Sequence, residues 1–416
     1  MQPVKAFLPK PRGEGFATET LLAPRQALVA YFSRVRIATP LVERVRLDDA
    51  YGRVLAQRID ADDDYPNASR SAMDGFALAS RATPGTFAIA GDVRMGETPE
   101  RPISREQAMR IPTGGMLPAG ADAVVPIEET QVDGARVRVP NAVTTGTNVV
   151  ARGADMHRGE PVLHAGVRIA APQAGVLATL GVTEVDVYRR PVVAVFSSGD
   201  ELVPAARRPA IGQVRDSNRY AIAASLRAMG AQPRHYPKLA DEPAAFHVAL
   251  SQALRECDAI VISGGSSVGE RDHLPAAVAA LGEPGIVVHG LRLKPGKPTL
   301  FGAVGDKPIV GLPGNPLSAL TVLEAVAAPI VGALVGATVV PATIGARLTH
   351  PAKSRLGWTW YVPVALEHDG GAWLAHPLAV RSFSVSLAAR ADGYIVMDER
   401  DDEWSAGTMV TVSRFL

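Results

Sequence analysis

Apolar runs and helical segments alternate between residues 191 and 330, and no other feature of the sequence restricts the possible folds as strongly. Continuous apolar runs such as 191–196 and 259–262 are typical of strands that are covered on both faces of a sheet. We expect Gly230 to end one helix and Asp241 to cap the start of the next. The alternation predicts an α/β domain with a mostly parallel sheet. The predicted helices span 218–229, 241–257, 272–282 and 315–326.

Short apolar runs between turn residues dominate the rest of the chain. The region 51–145, rich in Gly, Pro and Thr, predicts a small β-rich domain, and the short runs after 341 predict a β-barrel or sandwich. The fold class is therefore α/β multidomain, with β-rich N-terminal domains and, as we favour, a small C-terminal β-barrel. The predicted domains are a discontinuous N-terminal linker domain at 20–50 with 146–190, the small β-rich domain at 51–145, the α/β domain at 191–335 and the C-terminal domain at 336–416.

The composition argues against several functional classes. The 416 residues carry a net charge of +1 without a basic stripe, which is atypical of a nucleic-acid-binding protein. The single cysteine, Cys257, excludes an internal disulfide, and with no apolar signal segment before residue 20 we expect a cytoplasmic protein. The apolar stretch 317–340 contains Glu324 and Pro329, so we predict a buried helix that breaks near Pro329 rather than a membrane span.

Four loops of the predicted α/β domain follow strand ends and are built from Ser, Gly and Pro. Ligands of an open parallel sheet bind at the carboxyl ends of its strands, so we expect these loops to form one site. Glycines expose backbone N–H groups to an anion, serines add hydroxyl donors, and a helix that starts at Asn315 offers its N-terminus. The candidate binding residues are Ser197, Ser198, Gly199, Ser263, Gly264, Gly265, Ser266, Ser267, Lys294, Gly296, Lys297, Pro313, Gly314, Asn315 and Pro316.

Two kinds of charge accompany these loops. Lys294 and Lys297 each precede a proline, which favours a stiff pair of cations for an oxyanion, with a solvated charged turn as the alternative. Asp200, Glu201 and Asp272 lie in the same loops, and carboxylates beside an anion site need a bridging cation, so Glu201 and Asp272 are predicted ligands of Mg²⁺. For Asp200 and Glu201 the alternative is a surface location. The segment 290–298 is not a Walker A loop, because a proline stands where Ser or Thr should bind Mg²⁺.

Eight strings lie in a fixed order between residues 25 and 416. They are SAMDGFAL, PTGGMLPAGADAVV, GTNVVARGAD, VFSSGDEL, DSNRYAI, SGGSSVGERD, KPGKP and GLPGNP. On these strings the chain resembles the molybdopterin molybdenumtransferases of the MoeA type, which are related to the C-terminal part of gephyrin. The resemblance implies insertion of molybdate into adenylylated molybdopterin, with release of AMP and assistance by Mg²⁺.

The resemblance also implies an assembly. It implies a homodimer in which the discontinuous N-terminal domain serves dimerisation. The cleft would lie between the α/β domain of one subunit and the small β-rich domain of the other. The implied partners are small-molecule substrates, the molybdopterin adenylyltransferase and molybdoenzyme acceptors, with no nucleic acid and no membrane.

Carried over position by position, the resemblance implies site residues. The string DSNRYAI adds Asp216 and Asn218 to the binding residues, and Arg381 with Ser382 stands where the family has a glycine-serine pair. From the residues alone, Asp241 is better interpreted as a helix cap than as a catalyst, and the strings around positions 74 and 113 as ordinary loops of a β domain. The implied catalytic residues are Asp74, Thr113, Asp155, Glu201, Asp241 and Asp272.

The chain departs from the family pattern at several positions. Val150 and Ala154 replace an arginine and a glutamate, and Pro363 stands near the place of a further arginine. We hypothesise that Arg381 supplies the missing charge, with an ordinary surface arginine as the alternative. The lost arginines favour a second function, a molybdopterin or molybdenum-cofactor binding and delivery protein without metal insertion. The intact acids favour the enzyme.

Overall fold

The computed structural model describes Phe16 and residues 20–266, 273–379 and 383–416. The chain forms two units. One contains the chain up to Val45, Ala50–Ala56 and Asp186–Leu416, and the other contains Arg46–Asp49 and Gln57–Val185. In the sequence, the second unit is thus inserted into the first. Two strands, Val42–Arg46 and Glu184–Tyr188, lie where the chain passes from one unit to the other.

The helices begin and end at residues with clear local roles. Pro24, Pro243 and Pro316 occupy the first position of their helices, where a missing backbone N–H costs nothing. Gly230 ends its helix with φ of 104°, in the left-handed region, as predicted. The α-helices are α1 (Pro24–Arg34), α2 (Ala171–Thr179), α3 (Asn218–Met229), α4 (Pro243–Glu256), α5 (Leu274–Leu281), α6 (Pro316–Thr321), α7 (Ala328–Val335) and α8 (Val385–Arg390), and short 3₁₀ helices lie at Leu47–Asp49, Ser80–Ala82 and Ile127–Glu129.

A six-stranded sheet forms the centre of the α/β domain in the first unit. Its strands are β1 (Val192–Ser197), β2 (Gln232–His235), β3 (Ala259–Ser263), β4 (Pro284–His289), β5 (Leu300–Val304) and β6 (Lys307–Leu312), in the spatial order β2-β1-β3-β6-β5-β4. The first three neighbouring pairs are parallel, and the pairs β6–β5 and β5–β4 are antiparallel. The sheet is therefore mostly parallel, as predicted.

Helices cover both faces of this sheet, which explains the continuous apolar runs of its central strands. Along β1, Val193 and Val195 pack in a cluster with residues of α1, α3, α6 and α7. Ala194 and Phe196 pack in a second cluster with residues of α4 and α5. Both layers therefore exclude water from β1.

The long apolar stretch is a broken helix, as predicted. Between α6 and α7 lies a π-helical turn, Val322–Val326, and the two arms bend by 53°. Glu324 in this turn is buried, and its carboxylate accepts hydrogen bonds from the Ser225 hydroxyl and from the backbone N–H of Leu416. In the described part of the chain no single helix has the length and apolarity to cross a membrane, and this bent pair meets both criteria only when its arms are taken together.

The C-terminal part of the first unit is a closed five-stranded barrel, which confirms the barrel over the sandwich. Its strands are Thr343–Leu348, Thr359–Asp369, Ala372–Pro377, Gly393–Met397 and Met409–Arg414, and each pairs with two others in the ring. Inward side chains such as Val364, Ile395 and Val412 are fully buried. Leu293–Lys294 adds a short parallel strand beside Thr359–Trp360, and Ala352–Lys353 pairs with Glu403–Trp404.

The second unit is rich in strands, as predicted. Its largest sheet has six strands around a core that includes Phe76, Phe87 and Val125. In spatial order they are Ala123–Pro126, Gly75–Leu78, Gln107–Ile111, Gly85–Asp92, Arg136–Val139 and Gln131–Asp133. Two short ribbons join Arg70–Ser71 to Val149–Val150 and Ile59–Asp60 to Pro161–Leu163.

Candidate functional site

A cleft opens at the carboxyl ends of β1, β3 and β6, where the sequence predicts a ligand site. Its volume of about 420 Å³ lies within the range of small-ligand sites, roughly 300–1,000 Å³. The walls come from strand ends, from a small parallel ribbon of Leu202–Val203 with Val214–Arg215, and from the starts of α3, α6 and α8. The lining residues are Ser197, Ser198, Glu201, Leu202, Val214, Arg215, Asp216, Ser217, Asn218, Ser263, Gly314, Asn315, Pro316, Phe383 and Val385.

Asn218 holds three of these walls together. Its side-chain N–H₂ donates to the Ser263 hydroxyl at 2.6 Å and to the backbone carbonyl of Gly314 at 2.8 Å. The Ser263 hydroxyl in turn donates to the carbonyl of Pro313 at 3.3 Å. The asparagine at the start of α3 thereby fixes the end of β3 against the loop that follows β6. These polar groups shape the cleft.

Asp216 is the second buried polar group of the cleft. Its carboxylate accepts from the Ser197 hydroxyl at 3.0 Å and from the backbone N–H of Arg219 at 3.2 Å. Because one donor lies at the end of β1 and the other in the first turn of α3, the contact orients the strand end relative to the helix. Asp216 and Asn218, which only the resemblance suggested, therefore belong to the same cleft as Ser197 and Ser263.

The predicted capping role of Asp241 is wrong. Glu242 stands at the N-cap of α4, because Pro243 takes the first helical position. The Asp241 carboxylate instead accepts from the Ser198 hydroxyl at 3.1 Å, and its backbone carbonyl lies 2.9 Å from Nε2 of His273. Asp241 thus stabilises the loop after β1 through Ser198, and it is not among the residues that line the cleft.

The loop after β3 is packed tightly against the loop after β1. A Cβ atom on Gly264 would collide with the backbone carbonyl oxygen of Ser198, and its φ of +91° also favours glycine. The Ser266 hydroxyl donates to the carbonyl of Pro298 at 2.6 Å and to that of Leu312 at 3.1 Å. Ser266 thereby links the loop after β3 to the KPGKP turn, residues 294–298.

The two lysines of the KPGKP turn lie against aromatic rings. The ammonium nitrogen of Lys294 is 5.2 Å from the centroid of the Trp360 ring, and that of Lys297 is 5.4 Å from the centroid of the Phe16 ring. The turn itself is closed by the Thr299 hydroxyl, which donates to the carbonyl of Gly296 at 2.7 Å. Neither lysine lines the cleft that the described residues form around Asn218.

Glu201 is the acid of the cleft that is free to meet a cation. It is exposed, lines the cleft, and folds its carboxylate over Gly199. No group of three or more His, Cys, Asp or Glu side chains with metal-binding geometry occurs among residues 20–266, 273–379 and 383–416. The single exposed carboxylate of Glu201 is compatible with Mg²⁺, which proteins commonly hold by one or two carboxylates together with substrate phosphate oxygens. Ser267, Asp272, Arg381 and Ser382 lie outside the described residues.

Asp74 and Thr113 form a contact within the second unit. The Asp74 carboxylate accepts from the backbone N–H of Thr113 at 2.6 Å and from its hydroxyl at 2.8 Å. These two donors hold the pKa of Asp74 below its usual value, because they favour the ionised carboxylate. Asp155 is exposed in a turn of the same unit. Asp74 and Thr113 thus contact each other, whereas in the part of the chain that the structure describes no hydrogen bond joins Asp155 to either of them.

Several residues of the site were missed by reasoning from the sequence. Arg215 and Ser217 line the cleft beside Asp216, Phe383 approaches it from just before α8, and Val385 approaches it from the first position of α8. Arg215 directly precedes the string DSNRYAI and Ser217 lies within it, so this string is the available signal for both residues. Phe383 gave no local signal, because it reaches the cleft through the path of the chain between two barrel strands, Ala372–Pro377 and Gly393–Met397.

Family models match the chain along most of its length. The MoeA N-terminal region (domain I and II) matches residues 22–181, the probable molybdopterin binding domain matches 194–333, and the MoeA C-terminal region (domain IV) matches 345–415. The molybdopterin molybdenumtransferase of Synechocystis sp. is 33% identical over 371 residues, which are 87% of this chain and 92% of the relative. That of Bacillus subtilis is 32% identical over 383 residues, 89% of each chain.

Solved structures show the same architecture. A molybdopterin biosynthesis MoeA protein from Pyrococcus horikoshii superposes with a TM-score of 0.76 at 29% identity, covering 95% of this chain and 100% of that chain. A second structure titled as a MoeA protein of Pyrococcus horikoshii OT3 has a TM-score of 0.82 at 23% identity, with the same coverage, and supports the fold.

Proposed function

We propose that this chain, which belongs to the MoeA family of molybdopterin molybdenumtransferases, inserts molybdate into adenylylated molybdopterin and releases AMP. The observation that carries the proposal is the cleft at the ends of β1, β3 and β6, with the Asn218 contacts that shape it. Its serines, backbone groups and Arg215 suit a phosphate-bearing ligand, and Phe383 offers a ring face for a flat heterocycle. Molybdate forms two Mo–S bonds to the dithiolene sulfurs while one of its oxygens leaves as water with the two thiol protons. A water molecule cleaves the phosphoanhydride bond, so that the products are AMP and the molybdenum cofactor.

Glu201 and Asp272 hold Mg²⁺ in this proposal. The metal, when bound, neutralises charge on the phosphate oxygens as the phosphoanhydride bond breaks. Glu201 supports this assignment, because it is an exposed carboxylate within the cleft. Asn218 and Asp216 hold the strand ends and loops around the cleft in place, and Asp241 supports Ser198 in the same way. A glutamine at position 201 should lower AMP release roughly a hundredfold, since an electrostatic clamp of this kind contributes about 3 kcal/mol or more.

Lys294 and Lys297 bind molybdate as fixed cations in this proposal. Pro363 cannot supply the charge of the family arginine, and Val150 lacks another, so Arg381 makes up for one of them. Arg381→Ala should then raise the molybdate requirement roughly tenfold, as expected for one lost charge-assisted contact of about 1.5 kcal/mol. If Lys297→Ala shifts the molybdate curve and Arg381→Ala leaves it in place, Arg381 has no part in the site.

The proposal also includes a cytoplasmic homodimer that exchanges its ligands with the molybdopterin adenylyltransferase and with molybdoenzyme acceptors. In this assembly a partner subunit would supply Asp74 and Thr113. Inactive Asp74→Ala chains mixed with inactive Glu201→Ala chains should then regain part of the activity. Confirmed subunit exchange without any regain would count against the shared site.

One assay tests the function. Purified protein is incubated with adenylylated molybdopterin, Mg²⁺ and molybdate, and AMP and active molybdenum cofactor are measured together. Both products should form with wild-type protein, and Glu201→Gln should form little of either. The matched control is Glu128→Gln, which changes an exposed acid of the second unit. Tight ligand binding with no AMP release would overturn the proposal in favour of the binding and delivery protein.

A further inference from the structure

The indole ring of Trp360 in the barrel lies against Lys294 of the KPGKP turn. The ammonium nitrogen of Lys294 lies 5.2 Å from the centroid of Trp360, within the distance of about 6 Å at which a cation is attracted to a ring face. The contact is built into the backbone, because Leu293–Lys294 pairs in parallel with Thr359–Trp360 and puts Lys294 directly opposite Trp360. Tryptophan is the ring that attracts a cation most strongly.

The surrounding contacts fix both partners but leave the ammonium charge intact. On the barrel side, the backbone N–H of Thr359 donates to the carbonyl of Arg292 at 3.1 Å, and Arg292 forms an ion pair with Glu399 at 2.9 Å. None of the ion pairs found between described residues includes Lys294. A carboxylate at this place would neutralise the cation, whereas a ring face attracts it and leaves its N–H groups to an anion.

The same arrangement recurs at the second lysine. Lys297 is partly buried and its ammonium nitrogen lies 5.4 Å from the centroid of Phe16, which itself packs edge-to-face on His289. The backbone of the turn is closed by hydrogen bonds, but an exposed lysine stem keeps its own rotational freedom. Lys294 is exposed, so a ring face is what limits where its charge lies.

We propose that Trp360 is a positioning residue for Lys294, through which the C-terminal barrel sets the affinity of the oxyanion turn for molybdate. The inference rests on the proposed function, in which Lys294 binds molybdate. Trp360 touches the lysine and acts on the anion only by holding that ammonium group in place. The barrel is therefore part of the molybdate site although its arginine position is occupied by Pro363.

Six proteins test the inference: the wild type, Trp360→Leu, Trp360→Phe, Lys294→Ala, the double variant Trp360→Leu/Lys294→Ala and the control Trp358→Leu. Trp358 is a partly buried tryptophan of the same barrel whose cation partner is Arg355, at 5.7 Å, rather than a lysine of the turn. Trp360→Phe keeps a ring and loses no hydrogen bond, because the indole N–H of Trp360 has no partner among the described residues. A difference between the phenylalanine and leucine variants therefore reports on the ring face.

The first readout does not need activity. Lysines are converted to ¹³C-dimethyl-lysines, which keep their positive charge, and Lys294 is identified by Lys294→Ala. The Lys294 methyl signal should be shifted upfield by the ring current in wild type and Trp358→Leu. The shift should be smaller in Trp360→Phe and absent in Trp360→Leu. An unshifted signal in the wild type would show that the ring does not hold the lysine.

The second readout is the molybdate dependence of cofactor formation. Trp360→Leu should raise the half-saturating molybdate concentration roughly fivefold, which corresponds to about 1 kcal/mol, with little change in the maximal rate. In Trp360→Phe the half-saturating molybdate concentration should return most of the way to the wild-type value. The double variant Trp360→Leu/Lys294→Ala should need no more molybdate than Lys294→Ala alone. A lost ring-current shift with an unchanged molybdate curve would overturn the inference. An inactive wild type would instead overturn the proposed function, while the methyl signal still decides whether Trp360 holds Lys294.

Discussion

Asn218 offers the sharpest test of how the cleft is built. Asn218→Ala removes the donor that serves the Ser263 hydroxyl and the Gly314 carbonyl, at 2.6 and 2.8 Å. Each buried hydrogen bond contributes about 1 kcal/mol, so the free energy of unfolding should fall by about 2 kcal/mol. For a unit of this size the melting temperature should then fall by on the order of 5 °C. The KM for adenylylated molybdopterin should rise roughly tenfold, because the loop after β6 loses its tie to β3.

Asn218→Asp separates the donor from the volume of the side chain. Aspartate has almost the same shape, but it cannot donate and would place a carboxylate against the carbonyl oxygen of Gly314. Its melting temperature should therefore be lower, and its KM higher, than those of Asn218→Ala. Thermal unfolding monitored by circular dichroism measures the melting temperature, and an AMP-release assay measures KM. Asn141→Ala, an exposed loop asparagine of the second unit, is the matched control. An aspartate variant as stable and active as the wild type would refute the reasoning.

Three further predictions concern carboxylates and the groups that donate hydrogen bonds to them. Burial raises the pKa of Glu324. The contribution of Glu324 to the free energy of unfolding is therefore full below the usual carboxyl pKa and is lost as the pH rises through the higher folded pKa, by about 1.4 kcal/mol for each unit between the two pKa values. Glu324→Gln should flatten this part of the curve of unfolding free energy against pH, and an unchanged slope would contradict the prediction. Thr113→Val should raise the pKa of Asp74, measured by carboxyl NMR, because one of the two donors that lower it is lost. Thr130→Val, at a half-buried threonine whose hydroxyl donates to the carbonyl of Ile127, should not. Ser198→Ala should weaken AMP release less than Glu201→Gln does, since Ser198 serves mainly to join Asp241 to the loop, and equal losses would show that the hydroxyl itself contacts the ligand.

The central strands were predictable from the sequence because burial on both faces leaves a continuous apolar run, as in β1 and β3. The edge strand β2 was missed for the opposite reason. Its residues, Gln232–His235, are polar and mostly exposed, so no periodicity marks them. The strand β5 was missed because its short apolar run contains Gly302, a residue type that is depleted in strands. Neither omission moved the predicted site, which depends on the ends of β1, β3 and β6.

The membership of the cleft was more predictable than the contacts within it. Ser197, Ser263 and Gly314 follow strands, so topology alone brings them together. Asp241 shows where local reasoning fails: a carboxylate two residues before Pro243 looks like a cap, yet its partner Ser198 lies 43 residues away along the chain. The rings over the two lysines are equally non-local. Trp360 and Phe16 stand far from the KPGKP turn in sequence, and nothing in their own surroundings announces the contact.

The insertion of the second unit into the first has a consequence for synthesis. Helix α1 is buried on the sheet through Tyr31, whose hydroxyl donates to the carbonyl of Gly302 at 3.4 Å across 271 residues of sequence. A ribosome that adds about 5–20 residues per second needs roughly 15–50 s to make that distance. During this time the inserted unit is complete and can fold, while Ala27 and Tyr31 have no sheet to cover them. Helix α1 is thus made early but is among the last elements to be packed, and a nascent chain must keep its apolar face from other surfaces until β5 emerges.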